Sequence, residues 1–267
     1  MTHLPFPQDF TQACGRISLV GAGPGAADLL TIRALKRLQE ADIVFFDRLI
    51  DPEVLALIPT SAEQVNVGKE VGRCKWPQDR IDAAIVMAAL AGKRVVRLKS
   101  GDPSIFGRAA EEIAAAQLHG IPVDIIPGVT AASAAAASTL CPLTERGKFD
   151  RLLMLTATAM TGELPEDFAR SIAPGTRLAI YMGIHLAAQL RSRLIAAGVS
   201  DKAPVTLAQN VAKAGERHVE CTLDTLVSTI ADQQIRNPAV IFVDVERVAC
   251  RAGKSDASNT ELSAYAL

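Results

Sequence analysis

The stretch RISLVGAGPGAADLLTIRALKRLQEADIVFF, residues 16–46, decides the fold class because strand, turn, helix and strand patterns follow one another within it. Residues 17–20 and 43–46 are short apolar runs of the kind that form buried strands. Between them, large aliphatic residues recur at helical spacing: Leu29, Leu30, Ile32, Leu35 and Leu38. Since strands that alternate with helices pair in parallel, the stretch predicts an α/β sheet covered by helices on both faces.

The same alternation continues along the chain on both sides of a turn-rich segment at residues 141–150. Before it, the patterns predict strands at 64–67, 94–98 and 123–126 and helices at 81–90, 109–118 and 130–140. After it, they predict strands at 152–156, 178–181, 205–208 and 240–243, helices at 186–196 and 223–231, and an antiparallel strand at 218–222. We therefore predict two α/β domains, residues 1–145 with a parallel sheet and 146–250 with a mixed sheet, and a flexible tail at 251–267.

Composition excludes several classes of protein. The 267 residues are 49% hydrophobic and 21% charged, as in an ordinary globular chain. The 28 Lys and Arg against 29 Asp and Glu leave a net charge of −1. Proteins that bind nucleic acid through its phosphates usually carry a basic excess, so we expect no nucleic-acid partner.

Membrane, export and metal signals are also missing from the sequence. The long uncharged stretch at residues 125–144 contains Pro127, Gly128 and Pro142, which favours a loop and a packed helix over a membrane span. The first ten residues show no basic and apolar pattern, so we expect no secretory signal. The five cysteines form no Cys-x-x-Cys pair and the four histidines are isolated. We therefore expect a cytoplasmic chain without a disulfide framework or a zinc site.

Ligands of open parallel sheets bind at the loops beyond the carboxyl ends of the strands, which directs attention to the glycine-rich loop at residues 21–25. Its glycines and Asp47 at the end of the next strand are similar to a dinucleotide fingerprint. Pro24 counts against that interpretation, because it removes one of the backbone N–H donors that a pyrophosphate needs. A tight turn and a ligand-binding loop both remain open.

The later loops carry polar residues with structural and functional interpretations. Asp47-Arg48 is either a cap with a solvated ion pair or a ligand contact, and Arg108 and Glu111, one helical turn apart, fit a surface ion pair equally well. Lys69 and Arg73 could be ordinary turn residues. Residues 99–103, KSGDP, are more specific, because a small residue, a glycine and an acid at a strand end make a pocket floor with one negative charge.

These loops occur in an order that resembles one family. The opening VGAGPG-x-x-x-LLTIRA at residues 20–34 resembles its first signature, and residues 95–107, which end in GDPSIFG, resemble its second. Shorter matches follow the same order: Asp47-Arg48-Leu49, Val67-Gly68-Lys69, Pro77-Gln78, Phe106-Gly107-Arg108, Pro127-Gly128-Val129-Thr130-Ala131, Pro142-Leu143-Thr144 and Tyr181-Met182-Gly183. Over residues 16–248 the chain resembles the tetrapyrrole methylases.

The resemblance implies a fold, a cofactor and a reaction. It implies a homodimer of two-domain α/β chains with a cofactor cleft between the domains, where S-adenosylmethionine binds and S-adenosylhomocysteine is released without a metal. It implies two successive methyl transfers to uroporphyrinogen III that give precorrin-2, a precursor of cobalamin, sirohaem or haem d1. No membrane partner is expected.

It also implies roles for residues that match the family pattern. The S-adenosylmethionine contacts would be Pro24, Ser100, Gly101, Asp102, Ile105, Thr130, Ala131, Met182 and Val211. Asp47 resembles the proton acceptor of the family and Lys69 its supporting cation, while Arg108 or Glu111 could instead be the base. The remaining cations for a substrate with eight carboxylates would be Arg48, Arg73 and Arg146, beside Lys69 and Arg108.

The sequence departs from the family pattern at several loops. Ser100 replaces the first glycine of Gly-Gly-Asp-Pro, Ala109-Ala110 replaces Gly-Gly, Glu145-Arg146-Gly147 replaces His-Arg-Asp, and Ala157 and Val211 replace glycines. We expect the added side chains at Ala157 and Val211 to narrow the cleft. A methylase of a later corrin precursor, a dinucleotide-dependent oxidoreductase and a non-catalytic binding module are the alternatives.

Overall fold

Two five-stranded sheets make up the fold of this computed structural model, which describes residues 15–68, 76–158, 164–165 and 167–247. The first sheet has the order β3-β2-β4-β1-β5 and its pairings are parallel. Its strands are β1 (Arg16–Gly21), β2 (Ile43–Phe46), β3 (Glu63–Asn66), β4 (Arg94–Lys99) and β5 (Val123–Ile126). Since β4 and β1 are central strands, their carboxyl ends lie side by side at the middle of one edge.

Helices cover both faces of this sheet, as the sequence predicts. The helices α1 (Ile32–Gln39) and α2 (Pro52–Leu55) pack on one face. On the other face lie α3 (Gln78–Leu90) and α4 (Ala109–Leu118), whose small and branched side chains pack against β1, β2 and β4. The predicted bounds of α4 agree with the structure, whereas β3 lies one residue earlier than predicted.

The second sheet has the order β6-β7-β10-β8-β9. Its strands are β6 (Arg151–Thr156), β7 (Thr176–Tyr181), β8 (Pro204–Gln209), β9 (Arg217–Thr222) and β10 (Ala239–Val245). Among these five described strands, β6 and β7 pair in parallel and the other pairings are antiparallel. The antiparallel pairing of β9 with β8 confirms the prediction of an added antiparallel strand. On this sheet pack α6 (Ala187–Ala196) and α7 (Leu226–Asp232).

The alanine-rich helix α5 (Ala131–Ser138) joins the two sheets. Its buried Ala132 and Ala135 belong to the same apolar cluster as Ala179 of β7 and Ala208 of β8. Small side chains on both sides let the helix backbone approach the second sheet closely. This contact places the carboxyl ends of the first sheet opposite the second sheet. The domain boundary at residue 145 stays a prediction.

Residues after α5 are held by a buried arginine of the second sheet. The Arg177 guanidinium donates to the carbonyl oxygen of Pro142, pairs with Asp244 at 2.6 Å and lies 4.5 Å over the Phe149 ring. The turn-rich segment is therefore anchored to β7. None of the helices that the structure describes is long and apolar enough to cross a bilayer.

The first sheet contains an exposed ion pair whose contribution to stability we expect to depend on pH. Hydrogen bonds from Arg94 lower the pKa of Asp42 to about 2 from its usual 3.8. A carboxylate whose pKa is lowered on folding stabilises the folded state above pH 3.8, and this stabilisation is lost as the pH falls through about 2. Arg94→Gln should therefore reduce stability slightly near neutral pH, and this reduction should be much smaller at about pH 2, where Asp42 is half protonated in the folded state. Urea unfolding of both proteins at the two pH values tests this; an equal difference at both would contradict it.

Candidate functional site

Three strand ends of the first sheet meet through bare backbone. A side-chain carbon added at Gly128, after β5, would lie 2.3 Å from the carbonyl oxygen of Gly101, after β4, and one added at Gly21 would lie 2.7 Å from the same oxygen. Gly101 and Gly23 also exchange backbone hydrogen bonds of 2.7 and 3.2 Å. Only glycine permits these approaches, so the loops after β1, β4 and β5 form one continuous floor.

Asp102 fastens this floor. Its Oδ2 accepts the backbone N–H of Gly128 at 3.0 Å, and its Oδ1 accepts the backbone N–H of Ser104 at 2.8 Å. The carboxylate is thus fixed by the loops after β4 and β5. At the end of the β5 loop, Thr130 caps α5 by accepting the backbone N–H of Ser133 at 3.0 Å.

A cleft of about 320 Å³ lies between this floor and the second sheet. It is lined by every residue that we predicted as a cofactor contact, together with Arg48: Pro24, Ser100, Gly101, Asp102, Ile105, Thr130, Ala131, Met182 and Val211. These residues come from the loops after β1, β4, β5, β7 and β8, so the fold brings together positions almost 190 residues apart (24 to 211).

The second sheet supplies lining residues that sequence reasoning missed. They are mainly apolar: Tyr181, Ala208, Pro238, Ala239 and Val240, beside Phe106 from the first domain. Tyr181 links both sides, because its ring lies 5.2 Å from the Phe106 ring and its Oη accepts the backbone N–H of Ala132 at 3.1 Å. The position of Tyr181 at the end of a predicted strand was the available signal.

Lys213 lines the cleft and connects two of its loops. Its Nζ donates to the carbonyl oxygen of Leu49 at 2.7 Å and lies 3.6 Å from Asp51 Oδ2. Nearby, the Ala26 N–H donates to the carbonyl oxygen of Ala212 at 2.7 Å. We call the contact of Lys213 with Leu49 and Asp51 the Lys213 clasp; it ties the loop after β8 to the loop after β2.

The glycine-rich loop lacks the geometry of a dinucleotide site. After Gly25 the chain forms a short 3-10 turn at Ala27–Leu29, and α1 begins only at Ile32. The glycines therefore do not lead directly into a helix N-terminus, where a pyrophosphate would bind. This structural reason disfavours the oxidoreductase alternative.

Asp47 belongs to a buried ion network formed by Asp47, Arg97, Glu112 and Lys99. Arg97 donates from Nη2 to Asp47 Oδ1 at 2.6 Å and from Nε to Glu112 Oε1 at 3.0 Å. Lys99 donates to both oxygens of Glu112 at 2.9 and 2.8 Å. Sequence reasoning missed Arg97 and Glu112, although an arginine and a lysine alternating in a strand buried on both faces indicate a charged pocket.

Burial and ion pairing have opposite effects on the pKa values of Arg97 and Lys99. Burial would lower the pKa of Arg97, but the charges of Asp47 and Glu112 outweigh it, and the pKa is raised. Burial lowers the pKa of Lys99, and the adjacent Arg97 charge lowers it further against the effect of Glu112.

The other predicted site residues lie elsewhere. Arg108 pairs with Glu111 at 2.8 and 2.5 Å, both side chains are about half exposed, and neither lines the cleft. The hydrogen bond from Glu111 raises the pKa of Arg108. Arg146 is exposed and outside the cleft lining. Lys69 and Arg73 fall outside the described residues.

One expectation about the cleft walls is wrong. Ala157 does not narrow the cleft, because it is fully buried in the core of the second sheet. Val211 does line the cleft and packs against its apolar wall. No group of three or more His, Cys, Asp or Glu side chains suited to a metal ion occurs among the residues with described positions.

The fold and the cleft define a two-domain α/β protein with a ligand site at the carboxyl ends of parallel strands. The sequence matches the family model described as tetrapyrrole (corrin/porphyrin) methylases over residues 16–227. The chain belongs to this family.

Its relatives differ in length. A uroporphyrinogen-III C-methyltransferase of Paracoccus denitrificans is 41% identical over 230 residues, which are 86% of this chain and 80% of that protein. A siroheme synthase of Pseudomonas aeruginosa is 41% identical over 231 residues, 86% of this chain and 50% of that protein. The chain thus spans about half the length of the siroheme synthases it matches.

A solved structure has the same fold. The uroporphyrin-III C-methyl transferase of Thermus thermophilus in complex with S-adenyl homocysteine superposes with a TM-score of 0.72 at 33% identity, covering 86% of this chain and 92% of that one.

Proposed function

We propose that the chain transfers methyl groups from S-adenosylmethionine to carbon atoms of uroporphyrinogen III, twice in succession, to give precorrin-2 and two molecules of S-adenosylhomocysteine. The observation that carries this proposal is the cleft, in which residues matched to the family from five separate loops line one cavity. The uroporphyrinogen-III methyltransferases among its relatives support the choice of substrate.

The cleft suits S-adenosylmethionine in shape and chemistry. Gly101, which lines the floor, has open space where a side chain would project, so backbone edges face the cavity. The fixed Asp102 carboxylate can accept hydrogen bonds from ribose hydroxyls or attract a positive charge. Ile105 and Val240 provide an apolar surface for a flat ring.

The reaction requires alignment of the methyl donor with a ring carbon, and it requires a group that accepts a proton. The sulfonium supplies a methyl group already attached to a cationic leaving group. The chain must hold a ring carbon in line with that methyl, at about 3–3.5 Å, and exclude water. Attack of the ring carbon on the methyl group leaves a positive charge on the macrocycle, which is neutralised when the macrocycle loses a proton from another position. We assign the acceptance of that proton to a carboxylate oxygen of Asp47, which is one-third exposed at the end of β2.

Cationic side chains would anchor the carboxylates of the macrocycle. We propose this role for Arg48, which lines the cleft, and for Lys69, Arg73, Arg108 and Arg146. The hydrogen bond from Glu111 raises the pKa of Arg108, which weighs against Arg108 as the base and favours a role in binding substrate carboxylates.

Incubation of the chain with uroporphyrinogen III and S-adenosylmethionine tests the proposal. We expect the absorption spectrum of precorrin-2, a mass gain of two methyl groups, and two molecules of S-adenosylhomocysteine for each product. Methylation of a later corrin precursor alone would assign the alternative substrate. Normal binding of S-adenosylhomocysteine without any tetrapyrrole turnover would indicate a binding module and overturn the proposal.

The assembly and the location of the enzyme are part of the same proposal. The family resemblance supports a homodimer, and the free thiols of Cys141 and Cys221 fit the reducing cytoplasm. Sedimentation of the purified chain tests the first and fractionation of the source cells tests the second. A monomer at every concentration would contradict the dimer.

We expect the Lys213 clasp to contribute to cofactor affinity. Lys213→Met removes the charged donor that holds the loop of Arg48 and Leu49 against the second domain, so binding must order that loop anew. Affinity for S-adenosylhomocysteine should fall about tenfold, or 1.4 kcal/mol, by calorimetry. Lys202→Met, which removes an exposed lysine paired with Asp224 away from the cleft, is the control. Equal affinities of both variants would contradict this role.

A further inference from the structure

Two cationic side chains lie on β4, the central strand of the first sheet, whose two faces are covered by helices. Arg97 and Lys99 of β4 are 3% and 4% exposed. Burying a charge costs much unless it is paired and hydrogen-bonded, and both cations meet this condition through Glu112 of α4, which is fully buried. A buried ion network adds little net stability over apolar packing, so its presence in this strand calls for a function.

The geometry of Arg97 points toward the active-site edge. Its Nε is bound to Glu112, its Nη1 donates to the carbonyl oxygen of Leu98 at 3.0 Å, and its Nη2 donates to Asp47 Oδ1 at 2.6 Å. A planar guanidinium with two anchored nitrogens has no freedom to turn, so it fixes the direction of the third bond. Asp47 is one-third exposed, whereas Arg97, Glu112 and Lys99 are at most 5% exposed, so among these four charged groups it is Asp47 that reaches solvent.

The charges of the network are distributed so that Arg97 remains available to Asp47. Glu112 binds Lys99 through both of its oxygens, and Arg97 shares only Oε1. The four groups sum to zero, with one cation facing each anion. Lys99 therefore neutralises Glu112, and the positive charge of Arg97 acts on Asp47.

We propose that Arg97, held by Glu112 of α4, whose charge Lys99 neutralises, is a positioning residue that orients the Asp47 carboxylate toward the proton it accepts. This inference rests on the proposed function, in which Asp47 accepts the proton. Arg97 itself is buried and touches no substrate; it acts through Asp47.

The same two strands provide a matched control. Arg94, three residues earlier on β4, pairs at 2.6 Å with Asp42, which precedes β2. This pair lies at the amino ends of the strands, opposite the cleft, and is about half exposed. It has the same residue types and nearly the same length as the Arg97–Asp47 pair, without access to the site.

The test compares Arg97→Lys with Arg94→Lys. Lysine keeps the charge but lacks the rigid fork that binds Glu112 and Asp47 together. For Arg97→Lys we expect kcat to fall at least tenfold, with KM for S-adenosylmethionine and affinity for S-adenosylhomocysteine within twofold of the native values. Arg94→Lys should keep the native kcat. In an Asp47→Asn background, Arg97→Lys should change the residual single-turnover rate by less than twofold.

Each outcome decides the matter. The inference is overturned if Arg97→Lys keeps the native kcat, or if it lowers the rate of the Asp47→Asn variant as much as it lowers the rate of the native chain. In either case the proposed function still holds, provided that the native chain forms precorrin-2. If the native chain produces no precorrin-2, the proposed function and this inference both fail. If Arg97→Lys does not fold, Arg97→Gln replaces it, because this variant leaves Glu112 paired with Lys99 through both oxygens. The same loss of kcat is expected, and the same results overturn the inference.

Discussion

Asp47→Asn should lower the rate of precorrin-2 formation about 10²–10⁴-fold, the usual contribution of a positioned acid–base group. Asparagine has almost the same shape and can still accept the hydrogen bond from Arg97 Nη2, so the loop after β2 should keep its structure. What the variant loses is a carboxylate that can take up a proton. Asp47 is not among the residues lining the cleft, so cofactor affinity should not change.

Two measurements separate loss of chemistry from loss of structure. The single-turnover rate with uroporphyrinogen III should fall, while calorimetric binding of S-adenosylhomocysteine stays within twofold of the native value. Asp42→Asn is the control, since this aspartate pairs with an arginine of the same strand at the far end of the sheet. Native turnover by Asp47→Asn would remove Asp47 from the mechanism and return Arg108 and Glu111 as candidates for the base.

Glu112→Ala should lower the free energy of unfolding by about 3–5 kcal/mol, because it leaves Arg97 and Lys99 buried without their shared partner. All three side chains are at most 5% exposed, so water cannot replace the lost carboxylate. Such a loss is a large fraction of the total stability of an ordinary domain.

The adjacent glutamate provides the control for this prediction. Glu111 lies on the same helix and also pairs with an arginine, but both partners are 47% exposed. Glu111→Ala should therefore cost at most about 1 kcal/mol. Urea unfolding at one pH compares the variants directly. A cost below about 1 kcal/mol for Glu112→Ala would show that water or a rearranged partner solvates the network.

Helices and strands were predictable where local pattern and burial agree. The predicted strands β2 and β5 and helix α4 have the bounds that the structure shows. Most of the apolar residues of β2 are buried in the covered parallel sheet, and Ala109 and Ala116 of α4 and Ile126 of β5 are buried as well, so the pattern and the environment coincide there. α5 is shorter than predicted, ending at Ser138, because an alanine-rich run carries no periodic signal that marks its end.

Cleft residues that belong to short motifs were also predictable, because each motif occupies one loop after one strand. Gly101 and Asp102 are examples. The wall formed by Tyr181 and Val240 was not predicted, since it depends on how α5 packs between the first domain and the strands of the second sheet. The expectation for Ala157 was wrong for the same reason, because its neighbours are distant in sequence.

The sequence alone determined the order of the loops that follow the strands. From that order we could predict the family and the parallel sheet, because these features depend on residues close together in the chain. The pairing of Arg97 with Asp47 and Glu112, and the contact of Lys213 with the loop after β2, were decided only by the tertiary structure. A charged group pairs with groups on any strand or helix that the fold brings within about 3 Å, and the local sequence does not encode which groups these are.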